Sequence, residues 1–159
     1  MARLSISIIV GVFLSFLGVS LFDQWGTFNE ALIFSNGFKI ISELIGAVFE
    51  FDIITFFMAG PYDITAFFVP SLLACIFISF IIGTIAKGLR RGIIASLLCV
   101  VVDLLLWILF SIFSGEDLMA LFQGRELIAT LGGIFSALFG MFIGGALGGF
   151  LSGPYEEFF

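Results

Sequence analysis

The chain has 159 residues, of which 61% are hydrophobic and 11% charged, and its formal net charge is −6. A soluble domain is about 45–50% apolar and about 25% charged, and no soluble core of this length hides so much apolar surface, so most of it faces lipid. A cytosolic enzyme and a disordered chain are excluded, as is a nucleic-acid reader, which needs a basic face; with no histidine in the sequence, the usual His chemistry is excluded too.

The first apolar run, residues 4–22, carries no charge. It is long enough to cross a hydrocarbon core of about 30 Å as a helix, and it is longer than the apolar part of a secretory signal, so it is expected to be retained as a span. Residues 23–63 form the least regular stretch. Within it, residues 38–51 read as an amphipathic helix, with Ile41, Ile45 and Val48 on one side and Lys39, Glu43 and Glu50 on another. Lys39 and Glu43 stand at the i,i+4 spacing of a weak ion pair. As a span, residues 38–60 would carry Glu43, Glu50 and Asp52 into lipid, each at about 2.5–3.5 kcal/mol near the centre. An interfacial helix on the outer leaflet is expected instead, continued by a short re-entrant apolar stretch at 53–59.

The second run is 64–86, uncharged, with Asp63 placed as an N-cap and Pro70 inside it, where the helix either kinks or begins. The third is 93–113, interrupted only by Asp103, and the fourth is 127–151, glycine-rich and stopped by Gly153-Pro154. The expectation is thus an all-α integral membrane protein: a single four-span domain over 1–159 with an extracytoplasmic amphipathic helix between spans one and two. Lys87, Arg90 and Arg91 crowd the loop between spans two and three, and Arg3 lies on the same side. By the positive-inside rule this loop and both termini are cytoplasmic, in a multi-pass protein of the cell membrane. Nine acids, against Lys39 and Arg125, then fall on the outer side, with Glu156 and Glu157 inside. Trp25, Tyr62 and Tyr155 sit at span ends, as interfacial belts require.

The fourth span carries the most specific pattern. Gly132, Ser136, Gly140, Gly144, Gly148 and Ser152 recur every four residues, beside a second row of Gly133, Ala137, Gly145, Gly149 and Gly153. Such rows let another helix backbone approach closely, which matters where no hydrophobic force draws helices together in lipid. They serve either packing within a four-helix bundle or, if one row is spare, a glycine zipper to a second copy or another membrane subunit. Shorter small-residue rows mark the other spans, among them Ser7, Gly11 and Ser15 in span one.

Asp103 is the eleventh of twenty-one residues in span three. A carboxyl group at that depth is a functional candidate by default. Ser79, Ser15 and Ser136 are its candidate hydrogen-bond partners, and Trp107, one turn further out on the same face, borders any site there. Two roles compete: an interhelical clasp worth about 0.6–2 kcal/mol, or a proton or cation site in a small channel or transporter. Cys75 and Cys99 lie in apolar runs and read as buried thiols. The outer acids Glu43, Glu50 and Asp52 are expected to form a solvated face. The chain lacks the His, Asn clusters or EF-type loop that a metal site calls for, and no metal, cofactor or catalytic constellation is expected. The functional expectation is a non-enzymatic structural or accessory subunit of a homo- or hetero-oligomeric membrane assembly packed through the glycine-rich fourth span, with an ion, proton or solute channel or transporter using Asp103 as the alternative.

Overall fold

The computed structural model describes residues 2–59 and 63–153; the interfacial role of Tyr62 and Tyr155, the stop at Pro154 and the inner acids Glu156 and Glu157 lie outside them. The described residues are helical, without a strand. Three long helices, α1 (Ala2–Phe22), α7 (Leu89–Ser114) and α9 (Gly124–Leu151), are long and apolar enough to cross a membrane. Each presents its large apolar side chains outward. On α9 the buried pairs Gly132/Gly133, Ser136/Ala137, Gly140/Met141, Gly144/Gly145 and Gly148/Gly149 alternate with exposed Phe135, Phe139, Phe142, Leu147 and Phe150. Small residues turned inward and phenylalanines outward invert the soluble pattern, as lipid demands.

The second apolar run does not form one helix. A single turn, α5 (Ile64–Phe67), is capped by Asp63, whose carboxylate accepts from the Thr65 amide at 2.9 Å. Val69 is then extended, and α6 (Pro70–Ala86) starts with its proline in the first turn. Proline disfavours helical backbone in the residue before it and lacks an amide hydrogen, so it opens this helix rather than kinking it. At 17 residues α6 spans about 26 Å, shorter than the three long helices. Lys87 and Gly88, both at positive φ, make the tight turn into α7.

α6 lies at the centre. It packs most extensively on α9 and next on α1, while α7 packs on α9. Three glycines, one from each helix, meet at one point. A Cβ on Gly83 of α6 would lie 2.6 Å from the Gly145 carbonyl of α9, and one on Gly92 of α7 would strike the same carbonyl.

The segment that follows α1 departs most from expectation. Asp23 caps α2 (Gly26–Ala31) through the Thr27 amide at 2.9 Å. Asn36 caps α3 (Gly37–Gly46), and one 3-10 turn, Ala47–Phe49, follows. This helix is amphipathic, but it is not laid on the surface. Ile45, Ala47 and Val48 are fully buried in the bundle core with Cys75, Ile78 and Cys99. The segment is a wedge: α3 packs on α7, and the 3-10 turn reaches α1, α6 and α9. Its apolar face matches helix interiors as well as it would match lipid, so hydropathy alone does not separate the two placements. The stretch 53–59 forms α4 (Ile53–Ala59), which has no buried residue and rests on α9. Around it Phe51, Phe56, Phe57 and Phe67 cluster edge to face or tilted, and Phe67 reaches Phe139 of α9.

Candidate functional site

Asp103 projects from the middle of α7 into the bundle and is fully buried. Of the three candidate serines, Ser15 of α1 meets it, donating to Oδ2 at 2.7 Å. Cys99, one turn earlier on α7, directs its thiol at the same oxygen at 3.6 Å. Among the described residues Oδ1 has no hydrogen-bond partner. The structure does not bring Ser79 to Asp103. The Ser79 hydroxyl donates to the Cys75 carbonyl at 2.7 Å and reaches the Gly140 carbonyl of α9 at 3.4 Å, so it belongs to the α6–α9 contact. Ser136 is buried on the inner face of α9. Ser15 is the last member of a short row with Ser7 and Gly11, whose small side chains let α1 come close to its neighbours, but the row does not say which polar group Ser15 meets.

The α9 rows are divided between two neighbours. Gly140, Gly144 and Gly148 face α6, where a Cβ would meet Cys75, Ser79 and the Phe80 carbonyl respectively. Gly145 and Gly149 face α7 and the turn before it, against Gly92, Ser96 and Gly88. Gly132 and Gly133 admit Asp52 and the Phe49 carbonyl of the segment that follows α1. From Gly132 to Gly149 the glycines of both rows are therefore occupied within the chain, while Gly153 at the end of the second row has open space around it.

Trp107 lies one turn outward of Asp103. Its ring packs on Phe49 of the 3-10 turn, centroids 5.7 Å apart, and its indole nitrogen lies against Gly46. Trp107 and Phe49 floor a cleft of about 480 Å3 that opens between α3, the α7–α8 connection and the start of α9; α8 is the short helix Leu118–Leu121. Its walls carry Glu43, Glu50, Glu116, Asp117 and Glu126. Partial burial holds Glu43 above its ordinary value, reinforced by Glu116 and eased by Lys39. Burial likewise raises Glu50, with Glu43 adding to it. Lys39 makes its ion pair not with Glu43 but with Glu116, at 3.8 Å, while lying 4.3 Å over the Phe34 ring. The tertiary fold supplies a partner that the i,i+4 spacing does not foresee. Glu50 also lines a second, smaller cleft with Asp23 and Thr27. Asp52 is engaged as a cap, accepting from the Thr55 amide at 3.0 Å and from its hydroxyl. Among the described residues, no three Asp, Glu, Cys or His side chains converge on a point where a metal ion would sit.

Cys75 and Cys99 are both free and buried. The Cys75 thiol points at the Val48 carbonyl at 3.8 Å, which ties the wedge to α6.

Comparison with protein-family models, with characterised proteins and with solved structures finds no match. The three long apolar helices are those of a small membrane protein, and what it does rests on its own geometry.

Proposed function

We propose that the chain is a non-enzymatic four-span membrane protein, with α1, α6, α7 and α9 as its spans and both termini cytoplasmic, acting as a structural or accessory subunit of a larger membrane assembly. The observation that supports this is the way the interior is spent: small residues of all four helices close on one another, and Asp103 is bonded to Ser15 between α1 and α7. An intramembrane acid held by a serine of another helix is a clasp. The Lys87–Arg91 loop supports the orientation by its charge.

With the glycine rows engaged inside the chain, the contact to a partner falls to the outer cleft. Its carboxylates come from three separate parts of the chain and suit a basic surface on a second subunit, where complementary charge sets partner choice more than affinity. The test is native mass in mild detergent together with cross-linking in intact membranes. A mass above one protomer that falls when Glu50 and Glu126 are changed to Lys supports the reading. A single-protomer mass with no cross-linked product in the membrane overturns it.

A further inference from the structure

Asp103 holds more than a clasp requires. Both of its donors, Ser15 and Cys99, point at one oxygen, and the other is buried without a partner. As a carboxylate, the group leaves Oδ1 without a donor from the described residues. As an acid, it carries its proton either on Oδ1, with nothing to accept it, or on Oδ2, donated to Ser15, whose own hydroxyl then turns to the Gly11 carbonyl at 3.0 Å. Oδ1 lacks a partner in both states, and the same neighbours accommodate the carboxylate and the acid.

The surroundings of Asp103 contain no competing charge. α1 presents Ser15, α6 presents Cys75, and α7 itself presents Cys99; among the described residues no Asp, Glu, Lys or Arg acts on Asp103. Trp107 lines the outer cleft, and only one helical turn separates it from Asp103, about 6 Å along the axis. The cleft wall is acidic, which concentrates cations, protons included, at that floor.

We infer that Asp103 is a proton-exchange site served from the outer cleft, with the packed Trp107–Phe49 pair as its barrier. A hydrated proton in the cleft loses its O–H bond as one forms at Oδ1, and the carboxylate becomes neutral; release reverses both changes. Ser15 stays bonded to Oδ2 in both states, donating to the carboxylate and, once the proton settles on Oδ2, accepting from it while it donates to the Gly11 carbonyl, and so positions the group. This goes beyond the accessory role and does not depend on it: the lone subunit, with its cleft open, exchanges the proton.

The test is infrared difference spectroscopy of the full chain in vesicles, stepped between acid and alkaline bath. The expected result is a protonated-carboxyl band that comes and goes with bath pH, is lost in Asp103→Asn and shifts in frequency in Ser15→Ala. The Ser15→Ala shift assigns the band even if Asp103→Asn does not fold. Trp107→Ala should speed exchange by about tenfold, one decade of barrier, while Trp107→Phe leaves it near the unaltered rate. Absence of any pH-dependent carboxyl band that responds to these two variants overturns the proton site. A band whose exchange rate ignores Trp107→Ala overturns the route from the cleft.

Discussion

Ser42 of α3 and Ser111 of α7 share a hydrogen bond of 2.6 Å, with both hydroxyls buried. The bond fixes the register of the wedge on the C-terminal end of α7. Ser111→Ala leaves the Ser42 hydroxyl buried and unpaired, a loss of about 1–3 kcal/mol. Ser42→Ala with Ser111→Ala removes both partners and should cost less than the two single changes summed. The coupling is expected near 0.6 and at most about 1.7 kcal/mol, the range for interhelical bonds in membranes. A double-mutant cycle on thermal unfolding in detergent measures it, and strict additivity would mean that the two hydroxyls are not paired.

Stability should rise on acidification from neutral pH. Glu43 and Glu50 are both held above their ordinary value of 4.5, by burial first and by neighbouring acids second. The folded state therefore binds these protons more tightly than the unfolded chain does. Their contribution is complete below the ordinary value and is lost as pH rises through the higher folded value. Asp63, lowered by its bonds to Thr65, has the opposite sign and loses its contribution as pH falls; being fully exposed, it is the weaker influence. Glu43→Gln with Glu50→Gln should flatten the rise seen by differential scanning fluorimetry between neutral pH and about pH 4.5. A rise of unchanged size in the double variant would assign it to other groups.

The parts of this architecture that show in the sequence are those written in long one-dimensional patterns. Residues 4–22, 93–113 and 127–151 are uninterrupted apolar runs apart from Asp103, and the helices overlie them with a few residues added at the ends. The small residues of α9 at every fourth position fix which side faces in. What is hidden depends on the third dimension. Pro70 could kink a helix or start one, and the choice rests on the extended backbone at Val69. The apolar side of α3 fits lipid or protein equally, so its burial against α7 follows from the Ser42–Ser111 and Gly46–Trp107 contacts, which no local spacing encodes. The same holds for Ser15 with Asp103, 88 residues apart, and for Lys39 with Glu116.

Both the four-span topology and its orientation can be tested with introduced thiols. The native Cys75 and Cys99 are buried and should stay unlabelled by a membrane-impermeant maleimide. Leu89 and Met119 are exposed at opposite ends of the α7 region, at 47% and 68%. Met119→Cys should label on intact cells, and Leu89→Cys only after the membrane is opened. The reverse order would invert the orientation given by Lys87, Arg90 and Arg91. Labelling of both on intact cells would remove α7 as a span.

The meeting of Gly83, Gly92 and Gly145 decides what the glycine pattern is for. In Gly145→Ala the new methyl would sit 2.9 Å from the Gly92 carbonyl and against the Ser96 hydroxyl. The Ser96 hydroxyl can turn aside, but the Ser96 Cβ, also 2.9 Å away, and the Gly92 carbonyl can yield only if α7 moves. Overpacking of this kind costs about 1–3 kcal/mol, and Gly145→Leu should prevent the α7–α9 contact altogether. Leu147→Ala, two residues on, trims a side chain that is 49% exposed on the lipid-facing side and should change stability by no more than about 0.5 kcal/mol. If the rows serve the fold, Gly145→Ala lowers the melting temperature and leaves the native mass as it was. If they serve association with a second chain, the mass falls and the melting temperature of the separated protomer holds. Because the obstructing atom belongs to the chain's own α7, the first outcome is expected, and the same measurement on Gly92→Ala should reproduce it from the other side of the contact.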